Sequence, residues 1–321
     1  MANLTLLDIA ARNGGDALVG LVEDVTTYAP EWGIIPAVPR PGTTYNVLRR
    51  TSLPTGGFRN VGAANTTVAS KYTQEVKQMF FWDTPLQVDE ALLQADKASA
   101  GDLLAQEAAG GLQGTSIALG TQVYYGDTAS GDAKGFVGLQ KQSVGKLPTG
   151  GTTNTTSAYL VWLNPQGVSF AVGNDGAMIM PPWTRTIITP TSTTQKTVWA
   201  TNLSFWIGLQ VGSAASVWRV SGIADASTYG LSDARVAALL AQVPLNRRQG
   251  LRLFMNRTAA YTLQKARATL SYVADGGRKL INDSGAFFGM PSESNGIPIT
   301  VTDSILNTET NAGTADTYAE E

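Results

Sequence analysis

The stretch that most restricts what this chain can fold into is residues 51–70, TSLPTGGFRNVGAANTTVAS. It holds three Gly, four Thr, two Asn and a single charge. Only Leu53, Phe58, Val61 and Val68 in it could fill a core. Its flanks read as strands. Residues 43–50 alternate Tyr45, Val47 and Arg49 against Asn46, Leu48 and Arg50. Residues 71–80 alternate Tyr72, Gln74 and Val76 against Thr73, Glu75 and Lys77. Neither flank has a cleanly apolar face. A ten-residue strand spans about 33 Å. Two such arms joined by residues 51–70 make a long hairpin with almost no core of its own, and an isolated hairpin is marginal in water. Either it packs on its own domain, or it lies on a neighbouring subunit that supplies the missing burial. The second arrangement is the expectation carried forward.

Composition points the same way. Charged residues are 15% of the 321, against roughly 25% in typical soluble domains. Interface centres are depleted in charge, so a shortage of it fits a surface hidden against partners. A secreted Gly/Thr-rich β protein is the plainer reading of the same numbers. The net charge of −2 offers no excess of positive charge for autonomous nucleic-acid binding. With no Cys, disulfides, zinc–thiolate sites and thiol catalysis are excluded. With no His, the commonest general base and metal ligand are missing, and a Ser-His-Asp arrangement is impossible. MANLTLLDIAARNGG has no basic leader and its apolar run is broken by Asp8, so no signal peptide is expected. No apolar run approaches the ~20 residues of a membrane-spanning helix, and no membrane association is expected.

Residues 3–29 read as an arm with short amphipathic pieces, Leu4, Leu7 and Ala11 sharing a helical face. Pro36, Pro39 and Pro41 make the next segment extended and bar it from a central strand. From Phe80 to Tyr125 the pattern is read as helical. Asp89 and Glu90 sit in a first turn, where the helix dipole favours anions. Gly101 and Gly110-Gly111 are the expected points of bending or interruption. Residues 126–157 read as loop. Short Trp-, Val- and Ile-rich runs from 158 to 225 read as strands. A helix is expected over 231–243 behind a Ser232 cap, then a strand at 251–255. A second helix at 257–270 places Ala259, Leu263, Ala266 and Leu270 on one face. AFFGMP (286–291) and IPITVTDSIL (297–306) close the chain as strands, before a polar, loose last dozen residues.

Candidate chemistry is sparse. SVGKLPTGG around Gly145-Lys146 has Gln140 where a P-loop needs its first Gly and Leu147 where it needs Ser or Thr. GGLQG at 110–114 lacks a preceding strand and is no dinucleotide fingerprint. Adjacent carboxylates such as Asp89 and Glu90 do not face each other on a helix, so dipole complementation explains them better than acid–base work. Asp102 and Glu107 read the same way. Arg247, Arg248 and Arg252 form a small basic cluster, either a solvated turn or a contact to a neighbour or nucleic acid.

The order of elements is arm, long polar hairpin, long helix, β-rich region, then strand-helix-strand. It resembles the major capsid proteins of tailed double-stranded DNA phages, the Hong Kong phage capsid fold. QVYYGDTASGDAKGFVGLQ (122–140), LSFWIGLQVGSAASVWRVSGIAD (203–225) and FFGMPSESNGIPITVTDSI (287–305) are similar to local passages of that family. The resemblance implies an α+β fold. Its parts would be an N-terminal arm (1–42), an extended β-hairpin loop (43–80) and a peripheral domain with a long spine helix (81–125). A β-rich axial domain (126–290) would follow, then a closing strand returning to the peripheral domain, with a tail (291–321). It implies a major capsid protein that self-assembles into the icosahedral head shell enclosing the phage genome, in a virion capsid built in the host bacterial cytoplasm. Its partners would be itself as hexamers and pentamers, portal, scaffolding and possible decoration proteins, and packaged double-stranded DNA held by weak non-specific contact. No catalytic residue, cofactor or metal is expected. The expected interface residues are Arg49, Arg50, Leu53, Phe58, Arg59, Val61, Val68 and Lys71 on the hairpin, with Asp89 and Glu90 as acceptors on a neighbour. Some family members join subunits by a Lys–Asn bond; Lys71 and Lys77 lie in the loop, but no partner or acid can be placed, so that activity is not carried over. The alternatives are another virion component, such as a tail-tube or baseplate protein, and a secreted β-rich carbohydrate-active enzyme. The helix-rich run 88–120 argues against the former. The missing His argues against the latter.

Overall fold

The computed structural model describes residues 25–95, 100–143, 145–151, 154–176, 178–191, 194–225, 228–270 and 290–309. The expected helices of the first arm, the AFFG run and the polar tail lie outside the described residues.

A turn of helix α1 (Glu31–Ile34) leads into the short strand β1 (Ala37–Pro39). β2 (Thr44–Ser52) and β3 (Lys71–Gln78) form a two-stranded antiparallel sheet, the expected hairpin. β4 (Phe80–Asp89) follows, then α2 (Glu90–Ala95) and the 26-residue α3 (Ala100–Tyr125). After α4 (Leu139–Gln142) come β5 (Gly145–Pro148), β6 (Thr156–Trp162), β7 (Val168–Val172), β8 (Thr184–Thr191), β9 (Thr194–Val211) and β10 (Val217–Ile223). The chain then forms α5 (Asp233–Ala241), β11 (Leu251–Met255), α6 (Arg257–Leu270), β12 (Glu293–Ser294) and β13 (Ile297–Val301).

Two sheets carry the core. The first is built on β9, whose 18 residues extend about 60 Å. β4 pairs along one side of it, from Phe80 opposite Ile207 to Asp89 opposite Val198. β8 and β7 share the other side, and β1 adds parallel to β7 at the edge. The second sheet has the order β12-β13-β11-β6-β10-β5. Its central strand β6 is buried on both faces, which is why SAYLVW reads as a nearly unbroken apolar run. Tyr159 and Val161 join one core with Leu119, Val123 and Tyr124 of α3 and Phe205 and Ile207 of β9. Ala158 and Leu160 point the other way, to a core closed by Val236 and Leu239 of α5 and Ala259 and Leu263 of α6. The expected α5 forms as read: the Ser232 side chain accepts the Arg235 amide. Leu263 is completely buried, whereas the Leu270 side chain lies outside the described set.

Four readings are corrected. Residues 80–89 are a strand, not the start of a helix. Alternate residues Phe80, Trp82, Thr84, Leu86 and Val88 turn inward, a period of two in an aromatic and β-branched run. Pro85 fits because β4 ends its sheet. Next, α3 passes through Gly101, Gly110 and Gly111 without a break. A Cβ on Gly111 would stand 2.9 Å from Leu86 Cδ1, so the glycine lets the helix lie close on β4. Third, the 126–157 loop contains β5, which pairs parallel to β10, and the start of β6. Last, the closing strand stops at Val301, and Met290-Pro291 lies outside any strand.

The order of elements along the chain does not follow the two sheets. β7, β8 and β9 complete the sheet of β4, whereas β5, β6, β10 and β11 form the second sheet, to which β13 adds beside β11.

Candidate assembly surface

The hairpin is fixed at its root and free at its tip. At the root the Met79 amide donates to Thr43 O at 2.8 Å, and the Met79 side chain is fully buried. Tyr45 lies beneath Arg40, 5.4 Å from guanidinium to ring centre. Burial pushes the Tyr45 phenol up to about 12, against the opposing pull of Arg40.

Beyond the root the register sorts the side chains. Tyr45 opposite Lys77, Val47 opposite Glu75 and Arg49 opposite Thr73 form one face. Most of that face is half-buried. There Glu75 pairs with Lys77 and lies 3.7 Å from Arg49. Asn46 opposite Val76, Leu48 opposite Gln74 and Arg50 opposite Tyr72 form the other face, which is open. Leu48 and Val76 are about two-thirds exposed there, and Arg50 stacks over Tyr72 at 5.3 Å. These pairs are the stabilising unit of a two-stranded sheet.

The tip is held by short local bonds: Arg59 Nη1 donates to Ala63 O at 2.7 Å and Asn65 Nδ2 to Gly57 O at 2.9 Å. Its apolar side chains have nothing beneath them. Phe58 and Val61 are as exposed as in an extended peptide, at 111% and 106%, with Leu53 at 62% and Val68 at 49%. Lys71 is also exposed, at the start of β3 opposite Ser52. Thus Arg49, Arg50, Leu53, Phe58, Arg59, Val61, Val68 and Lys71 share one projecting element.

Asp89 and Glu90 lie elsewhere. β4 carries them about 30 Å from its start at Phe80, away from the hairpin root. Asp89 ends β4, and its Oδ1 accepts the Ala91 amide at 3.0 Å, capping α2. It lies 4.0 Å from Lys196. Glu90 pairs with Arg185 at 2.9 Å. Both carboxylates are therefore engaged by β8 and β9 of their own chain.

Sequence reasoning missed the open-face residues Leu48, Tyr72 and Val76 as a group. Their signal was the two-residue period combined with the antiparallel register, which pairs of strands reveal and single strands do not. Ile179 before β8 and Ile187 on it are also exposed, at 49% and 64%.

Inside the molecule the polar groups close on themselves. Arg219 Nη2 meets Glu309 Oε2 at 3.0 Å, Tyr125 donates to Glu309 Oε1 at 2.5 Å, and Ser157 completes the set. Among the described residues no group of three or more acidic side chains is placed to hold a metal ion, and no helix is long and apolar enough to cross a membrane. What the projecting arm presents is apolar side chains and arginines.

Comparison with known proteins gives a family and a fold. A family model described as major capsid protein GP7 matches residues 40–312. A chain of the bacteriophage Epsilon15 cryo-EM structure is 19% identical and superposes with a TM-score of 0.73, covering 97% of both chains. The bacteriophage JBD30 capsid gives a TM-score of 0.51 at 11% identity, covering 94% of this chain and 99% of that one. A search of curated proteins finds no match.

Proposed function

The chain belongs to the family of major capsid proteins described as GP7, and from that premise we propose that the 43–80 hairpin is the arm by which each copy grips its neighbour. A capsid shell protein of this α+β fold works through interface geometry. The observation that supports the arm is the exposure of Phe58 and Val61 at the end of a hairpin whose root is buried. Burying a Phe side chain is worth about 1.5–3 kcal/mol. In an isolated subunit that gain is forgone; across a shell it recurs at every contact, and modest contacts suffice because a closed cage links each copy to several others.

In this reading Arg49, Arg50, Arg59 and Lys71 flank the apolar tip residues Leu53, Phe58, Val61 and Val68. Arg is suited to such contacts because its fork binds carboxylates bidentately. Asp89 and Glu90 of a neighbour are acceptors only if the incoming arginines share them with Lys196 and Arg185. Residues 1–42 would be the N-terminal arm, 81–125 the peripheral domain with α3 as spine, 126–290 the axial domain and 291–321 the closing segment. The subunits would form the hexamers and pentamers of a tailed-phage head built in the host bacterial cytoplasm. A portal, scaffolding and decoration proteins would be further partners, and double-stranded DNA would be held weakly, since a near-neutral protein binds it without tight electrostatic capture. No catalytic step is assigned to the chain.

Negative-stain electron microscopy of the purified, concentrated protein tests this. Closed shells or angular polyheads are expected. Tubes of uniform bore, or monomers at all concentrations, would favour a tail component and overturn the reading.

A further inference from the structure

Residues 25–35 run as a strap across α3 and the turn after β13. Gln113 Nε2 donates to Val25 O and Ser116 Oγ to Ala29 O, both at 3.4 Å. The Tyr28 amide donates to Asp303 Oδ2 at 2.9 Å, and the Asp303 amide returns a bond to Tyr28 O at 2.9 Å. Arg257, opening α6, pairs with Asp303 at 2.5 Å and reaches Thr26 O at 3.3 Å. Trp32 packs its ring on Phe170 and Phe205.

Under this strap sits Glu31, at 0% exposure. The contrast with Glu309 is informative. Both are buried acids, but Glu309 has Arg219 against it. Glu31 has hydroxyls: Thr302 Oγ1 at 2.5 Å and Ser304 Oγ at 3.3 Å. The approach of α3 leaves no slack. A Cβ on Gly120 would stand 2.2 Å from Ser304 Oγ and 3.1 Å from Glu31 Oε2.

The burial of charge separates the two states of the carboxyl. The Thr302 hydroxyl lies within reach of two acceptors, Glu31 Oε1 and Tyr28 O (3.3 Å), and it accepts the Ser304 amide at 3.1 Å. One hydroxyl carries one proton. If Glu31 is ionised, Thr302 donates to Oε1 and Ser304 to Oε2 while Tyr28 O keeps the Asp303 amide, but a full charge is then buried with only hydroxyls against it. If Glu31 is protonated, its proton goes to Thr302 Oγ1, whose own proton goes to Tyr28 O, so the same groups are served and no charge is buried. The groups facing the carboxyl are Tyr124 from α3 and Thr302 and Ser304 from the turn. Tyr124 lies close enough to pull the Glu31 pKa down, although its hydroxyl finds no partner in hydrogen-bonding geometry. Asp303, on the same turn, is turned to Arg257. Among the described residues no Lys or Arg pairs with Glu31. Burial outweighs the hydroxyls and holds its carboxyl above the ordinary value near 4.5.

We propose that Glu31 is a protonation latch: neutral, it locks the 25–35 strap onto α3 and the 302–304 turn; ionised, it loosens that strap. Because folding raises the pKa, the latch is fully closed below the ordinary value and opens as pH rises through the folded one. The inference rests on the local geometry and stands whether or not the hairpin grips a neighbour.

Hydrogen–deuterium exchange of residues 25–35, corrected for intrinsic pH dependence, tests it in the whole chain from pH 4 to 9. Wild type and Glu31→Gln should be equally protected at the acid end. Above the folded pKa, wild-type protection should fall relative to Glu31→Gln by up to about tenfold per pH unit. A ratio independent of pH, or one rising in favour of wild type, would overturn the latch. If Glu31→Gln does not fold, infrared difference spectra of the wild type still decide. A carboxylic-acid band lost in step with strap opening supports the latch, and opening without such a loss refutes it.

Discussion

If the hairpin grips a neighbour, Arg59 should matter to assembly and not to folding. Its guanidinium holds the Ala63 carbonyl across a solvent-exposed tip, and among the described residues it pairs with no carboxylate. Exposed contacts of this sort are worth about 0–1 kcal/mol. Arg59→Glu is therefore expected to leave the isolated subunit's melting temperature within about a degree of wild type while raising the concentration at which shells form. Both are measured on one preparation. An unchanged assembly threshold would leave Arg59 as solvated surface. Asp89 and Glu90 teach a different lesson at this scale. Placing them at the start of a helix was right for Glu90 and nearly so for Asp89, which caps that helix from the end of a strand. Their partners Lys196 and Arg185 lie about a hundred residues away, and no local pattern reports a pairing across sheet strands.

At the scale of elements, two changes separate what the fold needs from what assembly needs. Leu263 is completely buried among the side chains closing the second core, with Ala259, Val236 and Leu253 in the same cluster. Leu263→Asp puts an unpaired carboxylate there, so soluble protein should fall to a small fraction of wild type, consistent with a loss above about 3 kcal/mol. A soluble, assembling variant would contradict the assignment of that face to the core. Removing residues 55–67 should do the reverse. The tip shares its bonds locally and the root pairing at Met79 and Thr43 remains, so the subunit should keep its melting temperature within a few degrees and lose shell formation. Unfolding would mean the tip belongs to its own domain. Strand and helix positions were legible where the pattern was strong: the periodic hairpin arms and 257–270 helix, and the apolar run at 158–162, though not its start at 156–157. The strand at 80–89 was not, because a run of apolar residues leading into Leu92-Leu93 suits either period, and its pairing with residues 198–207 decides the matter from outside the segment. Likewise Gly110-Gly111 reads as a break in sequence, and the close approach of Leu86 to Gly111 is visible only in the fold.

At the scale of the whole molecule, chain order misleads about packing. Residues 168–211 return to complete the sheet of β4, while β13 crosses back to β11, so two cores interleave along one chain. The shortage of charge fits a protein that hides surface against partners, and among the described residues the exposed apolar side chains concentrate on the hairpin. The central claim is that this arm rests on another copy. Since the chain has no cysteine, Phe58→Cys gives a unique attachment point for a short photoactivatable crosslinker. Irradiating assembled and unassembled protein and reading masses by denaturing electrophoresis and peptide mass spectrometry tests the claim directly. The account predicts crosslinks between two copies, in assembled particles alone. Crosslinks within one chain, at equal yield in both preparations, would contradict it.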